Sequence, residues 1–366
     1  MTGLDTALLR ITPLDDAAAE AARVHQDDLT KPPGSLGRLE ELAVHLAAVR
    51  GRDALPLGPC AVLVCAGDHG VAARGVSAYP AEVTPQMVAN FLGGGAAINV
   101  IARAAGARVV VLDAGVAADL PEHPGLLARK VRRGTGDIVA GPAMTRDEAR
   151  AAVEAGIEAA WALADEGVEA LAVGDMGIGN TTAASAVVAA ITGRPAAEVV
   201  GRGTGVDEAG LARKRDAVAA AVARAGADPA DGLGVLAEVG GLEIAAIAGA
   251  VIGAAARRML CVLDGHPATA AALAACLIAP GAVDYCVAGH RSAERGHGVA
   301  LEHLGLRPLL DLDLRLGEGS GAALALHLVR VAAALSAEMA TFSSAGVSGP
   351  AESGATTPGE RAPTTP

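Results

Sequence analysis

Six short apolar runs punctuate this chain at residues 60–68, 108–115, 169–175, 259–265, 283–290 and 309–317, and each ends in Gly, Asp or His. Ala-rich segments with helical spacing separate them, among them 146–165, 208–225 and 242–258. Short apolar strands alternating with helices define an α/β fold: a parallel sheet of about six strands with helices on both faces. In such sheets a ligand sits beyond the carboxyl ends of the strands, where these polar and glycine-rich tails fall. The functional residues are therefore expected in the tails.

The remaining segments have a different character. Residues 1–58 are helical and charged, interrupted by Lys31-Pro-Pro-Gly-Ser-Leu-Gly37, where one helix ends and Ser35 or Gly37 starts another. Residues 321–339 form one long helix by the same spacing. The predicted organisation is an α/β catalytic domain over 59–319 and a small helical subdomain from 1–58 with 320–341. A tail over 342–366 is too polar to fold and is expected to be disordered.

Composition removes whole classes of function. The net charge of −12 opposes nucleic-acid binding, which needs clustered Lys and Arg. Two Tyr, two Phe and one Trp leave almost no stacking platform for single strands. Cys60, Cys65, Cys261, Cys276 and Cys286 form no CxxC pair and sit in apolar surroundings, as small buried hydrophobes of a reducing compartment do. The first residues carry acids and a proline where a signal peptide has a basic start and an apolar core. Uncharged stretches such as 244–256 are shorter than the ~18–20 residues of a membrane span. The expectation is a cytoplasmic protein with no membrane partner.

Three strand tails carry candidate chemistry. In Gly174-Asp-Met-Gly-Ile-Gly-Asn180 a strand ends, glycines follow, and a helix begins near Asn180 or Thr181. Free N–H groups and the dipole at a helix start favour a phosphate or carboxylate. The same loop without a ligand is a tight strand-to-helix turn, and the two readings are evenly matched. No Lys precedes the Ser/Thr as a P-loop requires, and Gly177-x-Gly179 is followed by Thr182 rather than the third glycine of a dinucleotide fingerprint. The turn Gly201-Arg-Gly-Thr-Gly205 adds backbone donors. Lys214 offers a point charge, although alone it reads as part of a solvated helix face. Ser292 lies just past a strand end, beside His290, His297 and His303, whose spacing matches no zinc pattern and reads as surface or supporting histidine. Asp68-His69 has no nucleophile elbow with it and reads as structural. The loop that follows it, with Tyr79, Pro80 and Met87, suits the wall of a flat apolar ligand. Glu318 stands between Gly317 and Gly319 at the end of the last run. Acids are common at helix starts, but two flanking glycines expose this one with room for a substrate, as a general base requires.

Taken together, Lys31–Glu40, Ala66–Val71, Gly174–Thr182, Val239–Glu243, Leu263–Gly265, His290–Glu294 and Arg315–Leu326 resemble the nicotinate-nucleotide–dimethylbenzimidazole phosphoribosyltransferase family. The resemblance runs in order from about residue 25 to about residue 340. It implies transfer of 5-phosphoribosyl from nicotinate mononucleotide to 5,6-dimethylbenzimidazole, with no cofactor or metal, by a homodimer. By the resemblance Glu318 takes the benzimidazole proton and Asp175 lies near the ribose and the reacting centre. Gly177, Gly203, Thr204, Lys214 and Ser292 would hold the 5′-phosphate, and Tyr79, Met87, Met176 and Leu316 would line the base pocket. Two other readings stay open: a related transferase that uses adenine or a phenol, and a non-catalytic nucleotide binder. The exposed Glu318 argues against the second.

Overall fold

The computed structural model describes residues 3–52 and 55–349. Its centre is a parallel sheet of six strands: β1 (Cys60–Gly67), β2 (Ala107–Gly115), β3 (Leu126–Ala128), β4 (Ala170–Met176), β5 (Leu260–Leu263) and β6 (Cys286–Ala288). They lie in the order β3-β2-β1-β4-β5-β6, with every neighbouring pair parallel. The chain reverses its direction of strand addition between β1 and β4, where a doubly wound sheet opens a crevice for ligands. Cys65 pairs with Asp175 at that place.

Small side chains explain how so many helices fit around the sheet. Helix Leu242–Ala256 is buried along its whole length, as a helix apolar all round must be. It crosses Arg146–Asp165 with almost no side chain between the two backbones. A Cβ on Gly156 would stand 1.8 Å from the Ala246 carbonyl oxygen, and one on Gly249 would stand 1.9 Å from that of Val153. The Ala and Gly bias is thus a packing requirement at this crossing.

The strand count agrees with expectation, but one member differs. The run 309–317 does not enter the main sheet; only Leu310–Asp311 is a strand, paired with His290–Arg291 in a separate two-stranded sheet. Its alternation of Leu with Asp311, Asp313 and Arg315 cannot be buried on both faces, whereas Cys60–Gly67 can. The sixth place goes to Leu126–Ala128 at the edge, which is too short to show a period.

Helices Asp16–Asp28, Arg38–Arg50 and Ser320–Glu338 pack together, tied by a 2.6 Å hydrogen bond from Gln26 Nε2 to Ser336 Oγ. Gly3–Arg10 packs instead on Arg146–Asp165 and Leu242–Ala256. Helix Leu242–Ala256 is too short to span a membrane, but two other stretches, Val83–Ala104 and Ser320–Glu338, have the length and apolarity of a span. Glycines 93–95 interrupt the first, and the second packs on β4, β5 and Arg38–Arg50. Part of the tail expected to be disordered is ordered: Thr341 caps a short helix, Phe342–Ala345, and bridges to Leu29. The rest of that tail, 350–366, lies outside the described residues.

Candidate active site

The cleft opens at the carboxyl ends of β4 and β5, with Asp175 and Met176 on one strand tail and Gly265 and His266 on the other. Asp175, at the end of β4, is buried and lines it. Its Oδ2 accepts a hydrogen bond from Asn180 Nδ2, while Oδ1 has no hydrogen-bond partner among the described residues. Burial, then Asp264, Glu243 and Glu318, push its pKa well above the ordinary carboxylate value, against the Asn180 hydrogen bond. The helix expected near Asn180 runs from Asn180 to Thr192. Gly177 lines the cleft, yet a Cβ there would stand 2.1 Å from the Gly67 carbonyl oxygen. Close packing of β1 against the loop already demands this glycine, whatever ligand the loop holds.

A second group of residues gathers across the cleft. Lys214 is 1% exposed, which removes the solvated-face reading. Its Nζ donates to Thr181 Oγ1 at 2.9 Å, and burial holds its pKa below the usual lysine value despite the nearby Glu294 carboxylate. Gly203 (φ +55°) leaves Lys214 room, since a Cβ there would meet Nζ at 2.7 Å. The Gly203 N–H is engaged: it donates to Glu294 Oε1 at 2.7 Å. Thr204 Oγ1 accepts from the Ala78 N–H at 3.1 Å and so ties the 201–205 turn to the loop carrying Tyr79. Ser292 is buried on the cleft wall, where its N–H donates to His297 Nδ1 at 2.8 Å.

The histidines divide. His303 is exposed, but His290 and His297 are buried, so those two are not surface residues. Burial lowers both, His297 to about 3, which keeps them neutral. Among the described residues no group of three His, Cys, Asp or Glu side chains is arranged to hold a metal ion.

Glu318 adjoins the cleft rather than lining it: Leu316 and Gly317 form the wall, and the Glu318 side chain is buried, not exposed as its flanking glycines suggest. Its backbone is left-handed (φ +64°), between Gly317 (φ +87°) and Gly319 (φ +83°). Its N–H donates to the Asp175 carbonyl at 3.2 Å, and its Oε2 accepts from the Ile98 N–H at 3.4 Å. Burial raises its pKa, the Ile98 hydrogen bond opposes this, and the Asp264 charge adds to it. The Asp68-His69 pair does not act as a dyad. His69 Nε2 hydrogen-bonds Glu243 Oε1 at 2.7 Å in full burial, and this carboxylate holds His69 above its ordinary pKa although burial alone would lower it.

The residues proposed for the base pocket scatter. Met176 and Leu316 line the cleft. Met87 is half-buried on helix Val83–Leu92, whose Thr84 Oγ1 accepts the Ile178 N–H at 3.1 Å. Tyr79 is 55% exposed and outside the cleft lining.

Several residues of the site escaped the sequence reading: Glu243, Asp264, Glu294 and Arg315. Asp264, Glu294 and Arg315 lie in or beside strand tails, whereas Glu243 stands in the first turn of helix Leu242–Ala256. Arg315 Nη1 donates to the Gly203 carbonyl at 3.3 Å and joins the two ends of the cleft. A buried acid gives no periodic signal, so these positions stood only inside the segments that carry the family resemblance.

This constellation, on a doubly wound sheet, belongs to a group-transfer enzyme of a defined kind. Residues 11–347 match a family described as phosphoribosyltransferase, and the chain belongs to that family. A nicotinate-nucleotide–dimethylbenzimidazole phosphoribosyltransferase of Chloroflexus aggregans is 60% identical over 348 residues, covering 95% of this chain and 99% of the relative. One of Thermus thermophilus is 58% identical over 337 residues, covering 92% of this chain and 99% of its own. A crystal structure of the nicotinate-nucleotide–dimethylbenzimidazole phosphoribosyltransferase from Thermus thermophilus aligns with a TM-score of 0.87 at 56% identity, over 92% of this chain and all of that one.

Proposed function

We propose that this chain transfers the 5-phosphoribosyl group of nicotinate mononucleotide to 5,6-dimethylbenzimidazole, giving nicotinate and α-ribazole 5′-phosphate. The observation that carries it is Glu318: a buried carboxylate of raised proton affinity, hydrogen-bonded through its N–H to the Asp175 carbonyl and next in the chain to the cleft-lining Gly317. A general base works best when its pKa is moved toward the working pH. The glycosidic nitrogen of the donor is already a pyridinium, so nicotinate leaves as a neutral ring without a protonated leaving group. Glu318 removes the benzimidazole N–H proton as the other ring nitrogen attacks C1′ from the opposite face. The β-nucleotide becomes an α-product. Asp175, with a buried oxygen unpaired among the described residues, stabilises the positive charge that grows on the ribose.

The phosphate belongs at the other end, where Lys214 supplies the buried cation and Gly177, Thr204 and Ser292 add polar contacts. Glu294 must yield Gly203 for that N–H to take part. Met176 and Leu316 offer apolar surface for the acceptor ring, with Met87 and Tyr79 outside the present lining. The site operates in the cytoplasm, in keeping with five free cysteines, and in a homodimer as the family resemblance implies.

The test is direct. The protein is incubated with nicotinate mononucleotide and dimethylbenzimidazole, with adenine and a phenol as competing acceptors, and nicotinate release and the product are followed by chromatography. No nicotinate release would sink the proposal; release with preferred capture by adenine or the phenol would move it to the related transferase.

A further inference from the structure

The conformation of Glu318 needs an explanation beyond its flanking glycines. Three consecutive residues, 317–319, are left-handed, and a side chain at the middle one carries a steric cost that surrounding contacts must offset. The largest set of contacts comes from Asp264, which follows β5 and is wholly buried. Its Oδ2 accepts the Gly319 N–H at 3.1 Å, and its Oδ1 accepts those of Gly321 at 2.7 Å and Ala322 at 3.1 Å. One carboxylate therefore gathers the turn after Glu318 and the start of helix Ser320–Glu338.

Among the described residues no lysine or arginine side chain pairs with this carboxylate. His290 Nδ1 lies 3.6 Å from Asp264 Oδ1, but burial keeps that ring neutral. The ring also packs over Gly321, where a Cβ would stand 1.9 Å from Nδ1, so the helix start cannot shift toward it. The other groups facing the cluster are acids. Asp175 and Glu318 face Asp264 and one another; Glu243 faces Asp175 and is itself paired with His69. Backbone N–H groups and the helix dipole hold the Asp264 charge in place.

We propose that Asp264 is a positioning residue for the transfer reaction: its carboxylate pins residues 317–322 so that Glu318 is presented to the acceptor base. The inference rests on Glu318 being the general base. Asp264 touches no substrate in this role. Its charge also disfavours ionisation of Glu318, so pinning and tuning come from one group.

The experiment compares Asp264→Asn with the parent enzyme. Whichever way the amide turns, its NH₂ is set against at least one N–H that the carboxylate had accepted. Amide exchange at 319–322 is expected to quicken, and kcat to fall about 10²-fold, the scale of a misplaced reacting group. The KM for nicotinate mononucleotide is expected to stay within about threefold, because the phosphate contacts lie elsewhere. Burial raises the Asp264 pKa to about 6, so in the parent both Asp264 and Glu318 gain protons as pH falls. With a neutral amide that titration and its opposition to the Glu318 charge are gone, and the acid limb of kcat/KM moves to lower pH. If the variant does not fold, Asp264→Ser reads the same quantities with a smaller buried acceptor. Unchanged amide exchange, or an unmoved acid limb with kcat near normal and only the melting temperature lowered, overturns the proposal. Glu318→Gln is run beside it. Near-normal turnover there removes the general-base reading, whereas the exchange measurement still decides whether Asp264 pins the loop.

Discussion

The two ends of the cleft bury charge in opposite ways. At one end four acids, Asp175, Glu243, Asp264 and Glu318, crowd within the interior; His69 hydrogen-bonds Glu243, and the His290 ring stands 3.6 Å from Asp264. At the other, Lys214 is a buried cation whose contacts are Thr181 and the neighbouring Glu294. Burial disfavours both kinds of charge, raising Asp175, Asp264 and Glu318 and lowering the lysine. The acidic end is suited to take up a proton and to favour a cation. The lysine end is suited to receive an anion. A ribosyl transfer from a pyridinium nucleotide needs both at once: positive charge grows at C1′ while the phosphate stays fixed.

The sharpest way to break this comparison is to neutralise one end at a time. Glu318→Gln is expected to cut kcat by roughly 10²–10⁴-fold while nicotinate mononucleotide still binds, as measured by calorimetry. A binding loss of the same size would mean that the two ends are not separate. Lys214→Met should act mainly on KM for the nucleotide. A charge-assisted contact is worth about 1.5–3 kcal/mol, or about 10–100-fold, and the same change should scarcely touch the weak reaction of nicotinate riboside, which has no phosphate. Equal losses with both donors would take Lys214 out of the phosphate site.

pH sharpens the acidic end. Glu318 acts as a base only when ionised, and its pKa is raised from 4.5. Activity therefore disappears as pH falls through a value above 4.5, and kcat/KM profiles should place the acid limb there. A limb at or below 4.5 would contradict the burial argument. The smallest effect is expected at Tyr79. Exposed and off the cleft lining, Tyr79→Ala should change the KM for dimethylbenzimidazole by no more than about twofold, the scale of ordinary surface substitutions. A large change would show that the 75–80 loop, tied to Thr204, reaches the acceptor when substrate is bound.

Periodicity and punctuation made much of this molecule legible. Helices Arg146–Asp165 and Glu208–Ala225 stand where their spacing placed them; the interior strands β1 and β5 fall within the apolar runs, and β2 and β4 overrun theirs by one residue. An interior strand must be apolar on both faces, and that leaves a mark in the sequence. The edge strand Leu126–Ala128 left none, and the alternating run 309–317 imitated a strand that only two of its residues form. At the site, glycines and strand tails marked Asp175, the 201–205 turn and Glu318 as places for chemistry.

What the chain order could not give was the company these residues keep. Asp264 and Glu318 are 54 positions apart, Gly203 and Glu294 91 apart, His69 and Glu243 174 apart. Their proximity follows from the order in which strands are laid beside one another, and strand order is set by packing between distant segments, not by any local pattern. Sequence alone therefore determined the layers, the strand ends and the residue types available for acid–base and phosphate chemistry. The tertiary structure decided that four acids are buried near one another and that Lys214 is buried apart from them, because burial and neighbouring charge, which set proton affinity, exist only once the chain has folded.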